Sequence, residues 1–600
     1  MLKKNPYTKK VLGLLLLVVA LNLIGNQFYN RFDLTQDKRY TLSEAAVETL
    51  KAADKPVVVE VLLEGNFPAE FRRLQSETRQ ILEEFASKNS NVKFDFIEGK
   101  QYIESLDDNL ASLESNFKAK RTQFENKTLS EEDWIKEVNY YNYFGRMITE
   151  LKESLMPAQV SVQDGGRFTQ ELVYPWAIIS YEERLVQVPL LKNQLGATSE
   201  ERITNSIQNL EYAFADGFNK IITPKSKKIA VLSGNGQLQD RHIADFITTL
   251  KESYFTAKFT LDSVTDNPQK TLQGIKEYDL IISAQPTEAF TDEEKYVLDQ
   301  FTMNGGKSLW LVDKVTVEMD SLFSTGSTFA FGSTLNLTDF FFRYGVRINP
   351  VLVNDMYAAP LVLATGTESD SQYNTYPWFY SPLSSSTKNH PIVNNIEGVK
   401  FDFASPIDLL DNSIKKTVLL ATSPITRVVG MPAKISLDTE IMGNLDVVQN
   451  KPDMKVFSAG EMPLAVLLEG DFTSVYKNRI KPLETKNHRD EGVETKMIVV
   501  SDGNVIKNQF QGNRPLELGF DKWTNTRYGN KDFLLNSVNY LLDENGLINI
   551  RSKEIVIPFL DQQKAIHQRG KWQALNLLLP LILLSVFGGL FWWIRKKKYT

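Results

Sequence analysis

The sequence predicts an α/β protein body held between two transmembrane helices. Three observations lead to this prediction: an uncharged apolar run at residues 11–28, a second at residues 574–594, and alternating strand and helix patterns between them. A helix needs roughly 20 apolar residues to cross a bilayer core of about 30 Å. Alternating strands and helices favour a sheet covered by helices. Six hundred residues, at about 150 per domain, predict three to four domains.

The first apolar run, VLGLLLLVVALNLIGNQF, has no charged residue. The ten residues before it carry no acid and four lysines, namely Lys3, Lys4, Lys9 and Lys10. By the positive-inside rule this flank stays in the cytoplasm, and the chain after the run lies outside it. A cleaved signal peptide is the alternative. The bulky polar segment after the run lacks a small-residue cleavage pattern, which favours an uncleaved anchor.

The second apolar run, ALNLLLPLILLSVFGGLFWWI, ends in two tryptophans where an interfacial aromatic belt would lie. Four basic residues follow at once, namely Arg595, Lys596, Lys597 and Lys598. They predict a cytoplasmic C-terminus and argue against the alternative of a buried core helix. Such a topology is that of a bacterial inner-membrane protein with a large periplasmic body.

Polar and small residues inside the two runs predict contacts with another membrane protein. Small residues let membrane helices approach closely, and an intramembrane amide is best satisfied at a helix interface. The residues concerned are Asn22, Pro580, Gly588 and Gly589. The alternative is that Asn22 bonds a backbone carbonyl and that the glycines are incidental.

The predicted map of the chain follows from the two runs and from the patterns between them. Its segments are a cytoplasmic tail (1–10), the first transmembrane helix (11–28), a first exterior domain (31–222), a second exterior domain (225–550), a linker (551–573), the second transmembrane helix (574–594) and a cytoplasmic basic tail (595–600).

Composition excludes several functional classes. The net charge is −6 although the two tails hold eight basic residues and no acid, so the exterior body is more acidic still and is a poor match for nucleic acid. The absence of cysteine excludes disulfides, thiolate catalysis and zinc–sulfur sites. Four scattered histidines argue against a histidine metal cluster, and the sequence predicts no cofactor.

The first exterior domain begins with a βαβ pattern and ends with a hairpin and a helix. Between them, residues 103–156 predict an antiparallel helical hairpin, whose apolar stripes are either its own core or a face for a partner. The order is that of a thioredoxin-like fold, although without a CxxC pair it is only a scaffold. The predicted elements are strands 57–64, 92–98, 177–181 and 184–189 and helices 70–87 and 199–218.

The second exterior domain alternates strands and helices, which predicts a parallel, doubly wound sheet. One helix has a capping-box signature, with Thr291 at the N-cap and Glu294 three residues later. The predicted strands are 229–232, 258–261, 279–283, 308–312, 351–354, 417–421, 464–468 and 497–501, and the helices are 243–250, 291–303, 335–344 and 532–542.

Short motifs along the chain resemble the auxiliary subunits of ABC transporters, and more narrowly the gliding-motility-associated GldG type. They are RFDLT at 31–35, YTLS at 40–43, SGNG at 233–236, NGG at 304–306, YG at 344–345, HP at 390–391 and GN at 529–530 with Asn536. The resemblance implies a second domain of the glutamine-amidotransferase-like fold. It also implies a permease and, through it, a cytoplasmic ATPase as partners, with a substrate, envelope protein or glycan bound outside.

No motif predicts catalysis. The glycine turn at 234–236 lacks the third glycine of a dinucleotide fingerprint, and no nucleophile elbow occurs. Ser233 has only His242 as a nearby base, and Asp313, Asp355 and Asp502 are isolated carboxylates at strand ends. We therefore expect a non-enzymatic subunit; a membrane-tethered hydrolase and a static envelope scaffold are the alternatives.

Overall fold

The computed structural model describes residues 13, 41–164, 167–192, 196–365, 372–385, 389–450, 453–485, 487–553 and 562–599. The predicted first transmembrane helix, except for residue 13, lies outside the described residues, as do Lys3, Lys4, Lys9, Lys10 and Asn22. The chain divides into two units, and the division falls after Lys553. The secondary structure is mixed α/β, as predicted.

The first part of the body is built on a four-stranded sheet in the order β2-β1-β5-β6. β1 is parallel to β2 and antiparallel to β5, which forms a hairpin with β6. The elements are α1 (Glu44–Thr49), β1 (Val57–Val61), α2 (Ala69–Lys88), β2 (Val92–Phe96), α3 (Gly99–Glu125), α4 (Glu131–Ser154), β3 (Ala158–Asp164), β4 (Arg167–Val173), β5 (Trp176–Tyr181), β6 (Arg184–Pro189) and α5 (Ser199–Ile222).

Alternation along β1 gives the two faces of this sheet different environments. Val57, Val59 and Val61 are fully buried, whereas Val58 is 41% exposed. Helix α5 packs on the buried face, where Gly217 permits close approach because a Cβ there would lie 2.8 Å from Ile179 Cδ1. The opposite face carries the helical hairpin and is only partly covered.

Helices α3 and α4 form an antiparallel hairpin in the region predicted for one. Lys152 pairs with Asp107 near its base. Near its tip, the Phe117 ring stacks on Tyr141 at 4.1 Å between centroids. The predicted apolar stripes of the two helices therefore pack on each other.

The second part of the body surrounds a seven-stranded sheet in the order β20-β23-β24-β10-β9-β7-β8. Helices cover both faces: one buried cluster includes Phe301 and Phe340, and the other includes Phe246 and Phe533. The elements are β7 (Lys228–Ser233), α6 (Ala244–Ser253), β8 (Phe255–Thr260), α7 (Pro268–Ile275), β9 (Leu280–Ala284), α8 (Asp292–Met303), β10 (Lys307–Leu311), β11 (Val315–Val317), α9 (Met319–Thr325), β12 (Ser327–Gly332), α10 (Thr338–Tyr344), β13 (Val346–Ile348), β14 (Val351–Asp355), β15 (Leu361–Thr365), β16 (Gln372–Tyr376), β17 (Leu383–Ser384), β18 (Val399–Lys400), β19 (Ile407–Leu409), β20 (Lys415–Ala421), β21 (Thr426–Gly430), β22 (Ala433–Ser436), α11 (Leu437–Gln449), β23 (Pro463–Thr473), β24 (Glu491–Val500), β25 (Phe510–Gln511), β26 (Arg514–Pro515), β27 (Phe520–Asp521), β28 (Thr526–Arg527) and α12 (Asn530–Leu542).

The prediction of a parallel sheet is wrong for one strand, β23. Strands β8, β7, β9, β10 and β24 are parallel, whereas β23 is antiparallel to both β24 and β20. A parallel neighbour needs a crossover connection, usually a helix. No helix lies between β23 and β24 in the described part of that connection, so the chain turns back.

The second unit is described as one helix, α13 (Gln562–Tyr599). It begins within the segment predicted as a linker, residues 551–573. Within α13, Ile566–Lys598 is long and apolar enough to cross a membrane, with a mean hydropathy of 2.2 over an 18-residue window, and is the one such helix among the residues described. Pro580 lies inside this helix, where membrane surroundings tolerate a proline.

Candidate functional site

The carboxyl edge of the seven-stranded sheet is the first place to look for a site. Ligands of open α/β sheets bind where the strand order reverses, which here is between β7 and β9. The chain fills this crevice itself, because the amides of Thr287 and Glu288 both donate to the Asn235 carbonyl at 3.1 Å. The Asn235 side chain in turn donates to Glu294 Oε2 at 2.9 Å. The predicted glycine turn is thus packed against the chain's own loops.

Two of the three predicted strand-end carboxylates meet beside this crevice. Gln285 Nε2 donates to Asp313 Oδ2 at 2.7 Å and to Asn504 Oδ1 at 3.2 Å. The Asn504 amide donates to Asp502 Oδ1 at 2.7 Å, and the neighbouring Gly503 amide donates to Asp313 Oδ1. The ends of β9, β10 and β24 are therefore joined by one buried polar network.

Asp402 adds a third carboxylate to this network. Its amide donates to Asp502 Oδ2 at 2.6 Å, and Ser381 Oγ donates to its side chain. Burial, together with the charges of Asp313 and Asp402, raises the pKa of Asp502 well above its usual value. Burial also raises the pKa of Asp313. Asp502 therefore keeps its proton to a higher pH than an exposed aspartate does.

The contacts of this network are those of a structural cluster. Both Asp502 oxygens accept hydrogen bonds from backbone amides, and in the described chain no group of three His, Asp or Glu side chains could hold a metal ion. The third predicted carboxylate, Asp355, lies apart and accepts from the Ser423 amide at 2.7 Å and the Tyr357 amide at 2.9 Å.

Ser233 and His242 each have contacts of their own. Ser233 Oγ lies 3.4 Å from the Phe259 carbonyl oxygen. The His242 ring makes an edge contact with Phe510 at 5.1 Å, and Arg241 Nε donates to its Nε2 at 3.3 Å. Burial lowers the pKa of His242. Neither residue's hydrogen bonds, as described, join it to the other.

A junction at Glu211 holds the two ends of the described body together. Glu211 lies on α5 and is 3% exposed. Its Oε1 accepts from the Ser43 amide at 2.7 Å, and its Oε2 accepts from Lys553 Nζ at 2.7 Å. Lys553 Nζ also donates to the Thr41 carbonyl at 2.8 Å. Ser43 and Lys553, at the two ends of the described body, are thus bound to a single buried carboxylate.

Arg551 extends this junction into the second part of the body. Its side chain donates to the Pro391 carbonyl at 3.0 Å and to the Asn394 carbonyl at 2.7 Å. Its guanidinium lies 5.0 Å from the centroid of the Tyr212 ring, on the same helix as Glu211. The two parts of the body therefore share a polar contact at the place where the chain leaves it.

The remaining predicted site residues lie on α13. A Cβ built at Gly588 or Gly589 meets no atom within 4 Å, so each glycine leaves a gap on the helix surface. Lys596 and Lys597, at its basic end, lie over the rings of Trp592 and Trp593. These two tryptophans and the predicted topology signals Arg595, Lys596, Lys597 and Lys598 share one end of the helix.

The sequence analysis missed Glu211 and Lys553. One signal was present: Glu211 stands inside an apolar stripe formed by Ile207, Leu210 and Phe214, all buried in the structure. A charge at a core-facing position is costly unless it is paired. The pattern indicates a buried partner, but the partner lies 342 residues away and no local pattern identifies it.

Two family models match this chain. The family described as "ABC-type uncharacterized transport system" matches residues 226–537, which is just over half of the chain. A "Domain of unknown function (DUF7088)" matches residues 36–180. The two matches correspond to the two parts of the body.

One relative and one solved structure are also similar to this chain. An uncharacterized protein of Borreliella burgdorferi is 22% identical over 467 residues, covering 76% of this chain and 80% of its own length. A solved structure, the mmIFT52 N-terminal domain, is 13% identical and covers 52% of this chain and 97% of its own length, with a TM-score of 0.29. That score is too low to support any argument about fold.

Proposed function

The chain belongs to the ABC-type uncharacterized transport system family, and from this premise we propose that it is a non-catalytic auxiliary subunit of an ABC transporter. Both predicted spans anchor it in a bacterial inner membrane, and its body lies in the periplasm. Its partners are the permease and, through it, the cytoplasmic ATPase. The motifs quoted above support the narrower assignment to the gliding-motility-associated GldG type.

The junction at Glu211 is the observation that most supports this proposal. The segments leading to the two predicted spans start from one place on the body, because Thr41, Ser43 and Lys553 are bound to each other or to Glu211. In this proposal, a displacement of either span reaches the same helix, α5. This is the coupling that an ATP-driven permease needs in order to move an exterior domain.

The body is proposed to be a scaffold for binding. In this proposal the first part is a thioredoxin-like domain and the second part an amidotransferase-like domain. The sheet order β2-β1-β5-β6 supports the first assignment, and the helix-covered seven-stranded sheet supports the second. Without cysteine, neither fold has the nucleophile of its catalytic relatives. The strand-end cluster of Asp313, Asp402 and Asp502 stabilises the sheet edge in this proposal.

The transmembrane helices are proposed to bind the permease. Ser585 and Gly589 are four residues apart on α13, the spacing at which small residues permit close helix packing. Ser585 Oγ donates to the Leu581 carbonyl at 2.8 Å, so its hydroxyl needs no hydrogen-bond acceptor on a neighbouring helix. Together with Pro580 and Gly588, these small residues form a groove among the large apolar side chains of the helix.

Affinity purification of the full-length protein from native membranes tests the proposal. We expect a permease and an ATPase to co-purify. A leucine at position 589 (Gly589→Leu) should reduce their recovery about tenfold, since several contacts of about 0.6 kcal/mol or more are lost together. Gly570→Leu is the matched control, because Gly570 lies on the same helix outside the apolar run and its Cβ position is also free.

Three results would contradict parts of this proposal. Purification without any transporter subunit would favour a static scaffold. Equal recovery with Gly589→Leu and with both spans exchanged for unrelated ones would mean that the spans are only tethers. Reporter fusions at residue 300 and at the C-terminus should report opposite compartments, and matching signals would refute the topology.

A further inference from the structure

The open face of the four-stranded sheet and the helical hairpin enclose a cleft of about 900 Å³. Glu60 of β1 and Leu185 of β6 line its floor, and one side of α3 and α4 forms its wall. The volume lies within the range of about 300 to 1,000 Å³ typical of ligand sites. The cleft is remote in sequence from the strand-end cluster and from the junction at Glu211.

The α4 side of the wall is aromatic. Tyr140, Tyr141 and Phe144 line the cleft, and the rings of Tyr140 and Phe144 are 4.4 Å apart. Tyr140 remains 53% exposed although it is a large aromatic side chain. The Tyr140 ring is therefore open to the cleft, whereas the Tyr141 ring stacks on Phe117 within the hairpin.

The α3 side of the wall carries a row of uncharged polar residues beside apolar ones such as Leu106 and Leu113. Five side chains line the cleft at spacings of four, four, three and four residues, namely Gln101, Ser105, Asn109, Ser112 and Asn116. These spacings put them in one row along the helix. Ser105 donates to the Tyr102 carbonyl at 2.7 Å, and the other four have no hydrogen-bond partner within the described chain. Amides and hydroxyls both donate and accept, so the row is free to bond a ligand rich in hydroxyl groups.

The charges of the cleft are few and mostly neutralised. Lys120 and Glu137 line the wall and pair with each other at 3.3 Å. Glu60, on the floor, is half-buried, and burial raises its pKa. An ionic ligand would find no unpaired cation here among the lining residues, whereas a sugar hydroxyl could donate to the Glu60 carboxylate.

We propose that this cleft binds an uncharged oligosaccharide of the cell envelope. Ring faces on one side and a row of free amides and hydroxyls on the other match the apolar faces and hydroxyl edges of a sugar chain. A peptide strand would instead add to a sheet edge, and an amphipathic helix would need a continuous apolar groove. The inference rests on the proposed function only in placing the body outside the cytoplasm, where such glycans occur.

Calorimetric titration of the full-length protein tests this inference. The protein is purified in a detergent without a sugar headgroup, because such a headgroup would compete for the cleft. Chitohexaose, cellohexaose and maltohexaose are the probes. We expect at least one to bind, with Kd raised tenfold or more by Tyr140→Ala and by Asn116→Ala.

Tyr143→Ala is the matched control for Tyr140→Ala. Tyr143 lies on the same helix and is 54% exposed, but it does not line the cleft, so Kd should change less than twofold. The inference is overturned if no probe binds at 5 mM, or if both tyrosine variants weaken binding equally. Circular dichroism melting of each variant excludes unfolding as the cause.

The test also separates this inference from the proposed function. If oligosaccharide binding fails while the permease and ATPase still co-purify, only the assignment of the cleft is wrong. If Tyr140→Ala abolishes co-purification, or a photo-crosslinker at position 140 captures a protein subunit in native membranes, the cleft is a protein interface and the glycan assignment is overturned.

Discussion

Replacing Glu211 by alanine should loosen helix α1, whose N-cap residue Ser43 donates to the Glu211 carboxylate. The change removes a carboxylate that is 3% exposed and that accepts from Ser43 and Lys553, each at 2.7 Å. Breaking a buried ion pair by removing one partner costs about 3–5 kcal/mol. Lys553 is 21% exposed and still donates to the Thr41 carbonyl in the variant. We therefore expect Glu211→Ala to lose about 2–4 kcal/mol of stability at this junction.

Glutamine at the same position (Glu211→Gln) separates the hydrogen bond from the charge. The glutamine side-chain oxygen can still accept from the Ser43 amide, whereas the ionic attraction to Lys553 is lost. We therefore expect this variant to lose about 1–2 kcal/mol of stability. A double-mutant cycle with Lys553→Met should give a coupling free energy of similar size, because the two side chains are in direct contact. The expected order of stability is wild type, then glutamine, then alanine.

Hydrogen–deuterium exchange of the full-length protein measures this effect where it arises. The lost hydrogen bond to Ser43, the N-cap residue of α1, lowers the free energy of local opening of that helix. A decrease of about 2 kcal/mol in this free energy makes amide exchange in α1 roughly 30-fold faster. Glu150→Gln is the control. The Glu150 side chain is 70% exposed in its ion pair with Arg146, and an exposed ion pair stabilises a protein by less than about 1 kcal/mol. Exchange within twofold of wild type in Glu211→Ala would refute the reasoning.

Two further predictions concern buried groups of the second part. The pKa of Asp502 is raised in the folded state, so its favourable contribution is present at low pH and is lost as the pH rises through that raised value. The urea midpoint of Asp502→Asn minus that of wild type should therefore be more positive at pH 8 than at pH 5, and an equal difference at both would contradict this. Tyr344→Phe removes a hydroxyl that donates to Asp299 at 2.8 Å and should cost about 1–3 kcal/mol. Tyr357 is 56% exposed, so the control Tyr357→Phe should leave the urea midpoint unchanged. Equal urea midpoints for Tyr344→Phe and Tyr357→Phe would contradict the expectation.

Local signals in the sequence located many elements well. The capping box of α8 is confirmed, with Thr291 and Glu294 bonded to each other's backbone amides. The β-hairpin partners at 177–181 and 184–189 correspond to β5 and β6. Helix α11 was missed, because the side chain of its N-cap residue, Ser436, makes no capping bond and only three of its residues are buried.

The candidate site was only partly predictable. Asp313, Asp355 and Asp502 look equivalent in the sequence, since each follows a predicted strand. The structure joins Asp313 and Asp502 because β10 and β24 are neighbours, although almost two hundred residues separate them in the chain. Asp355 is the last residue of β14, which pairs with β21 in a separate two-stranded sheet.

The sequence by itself determined what depends on a few neighbouring residues: apolar length, basic flanks, caps and the period of strands and helices. These features act through the membrane and through hydrogen bonds within one or two turns, so they can be recognised locally. The tertiary structure decided the antiparallel direction of β23 and the pairing of Glu211 with Lys553. Such contacts join distant segments only once a shared core brings them together, and no local pattern encodes that partnership.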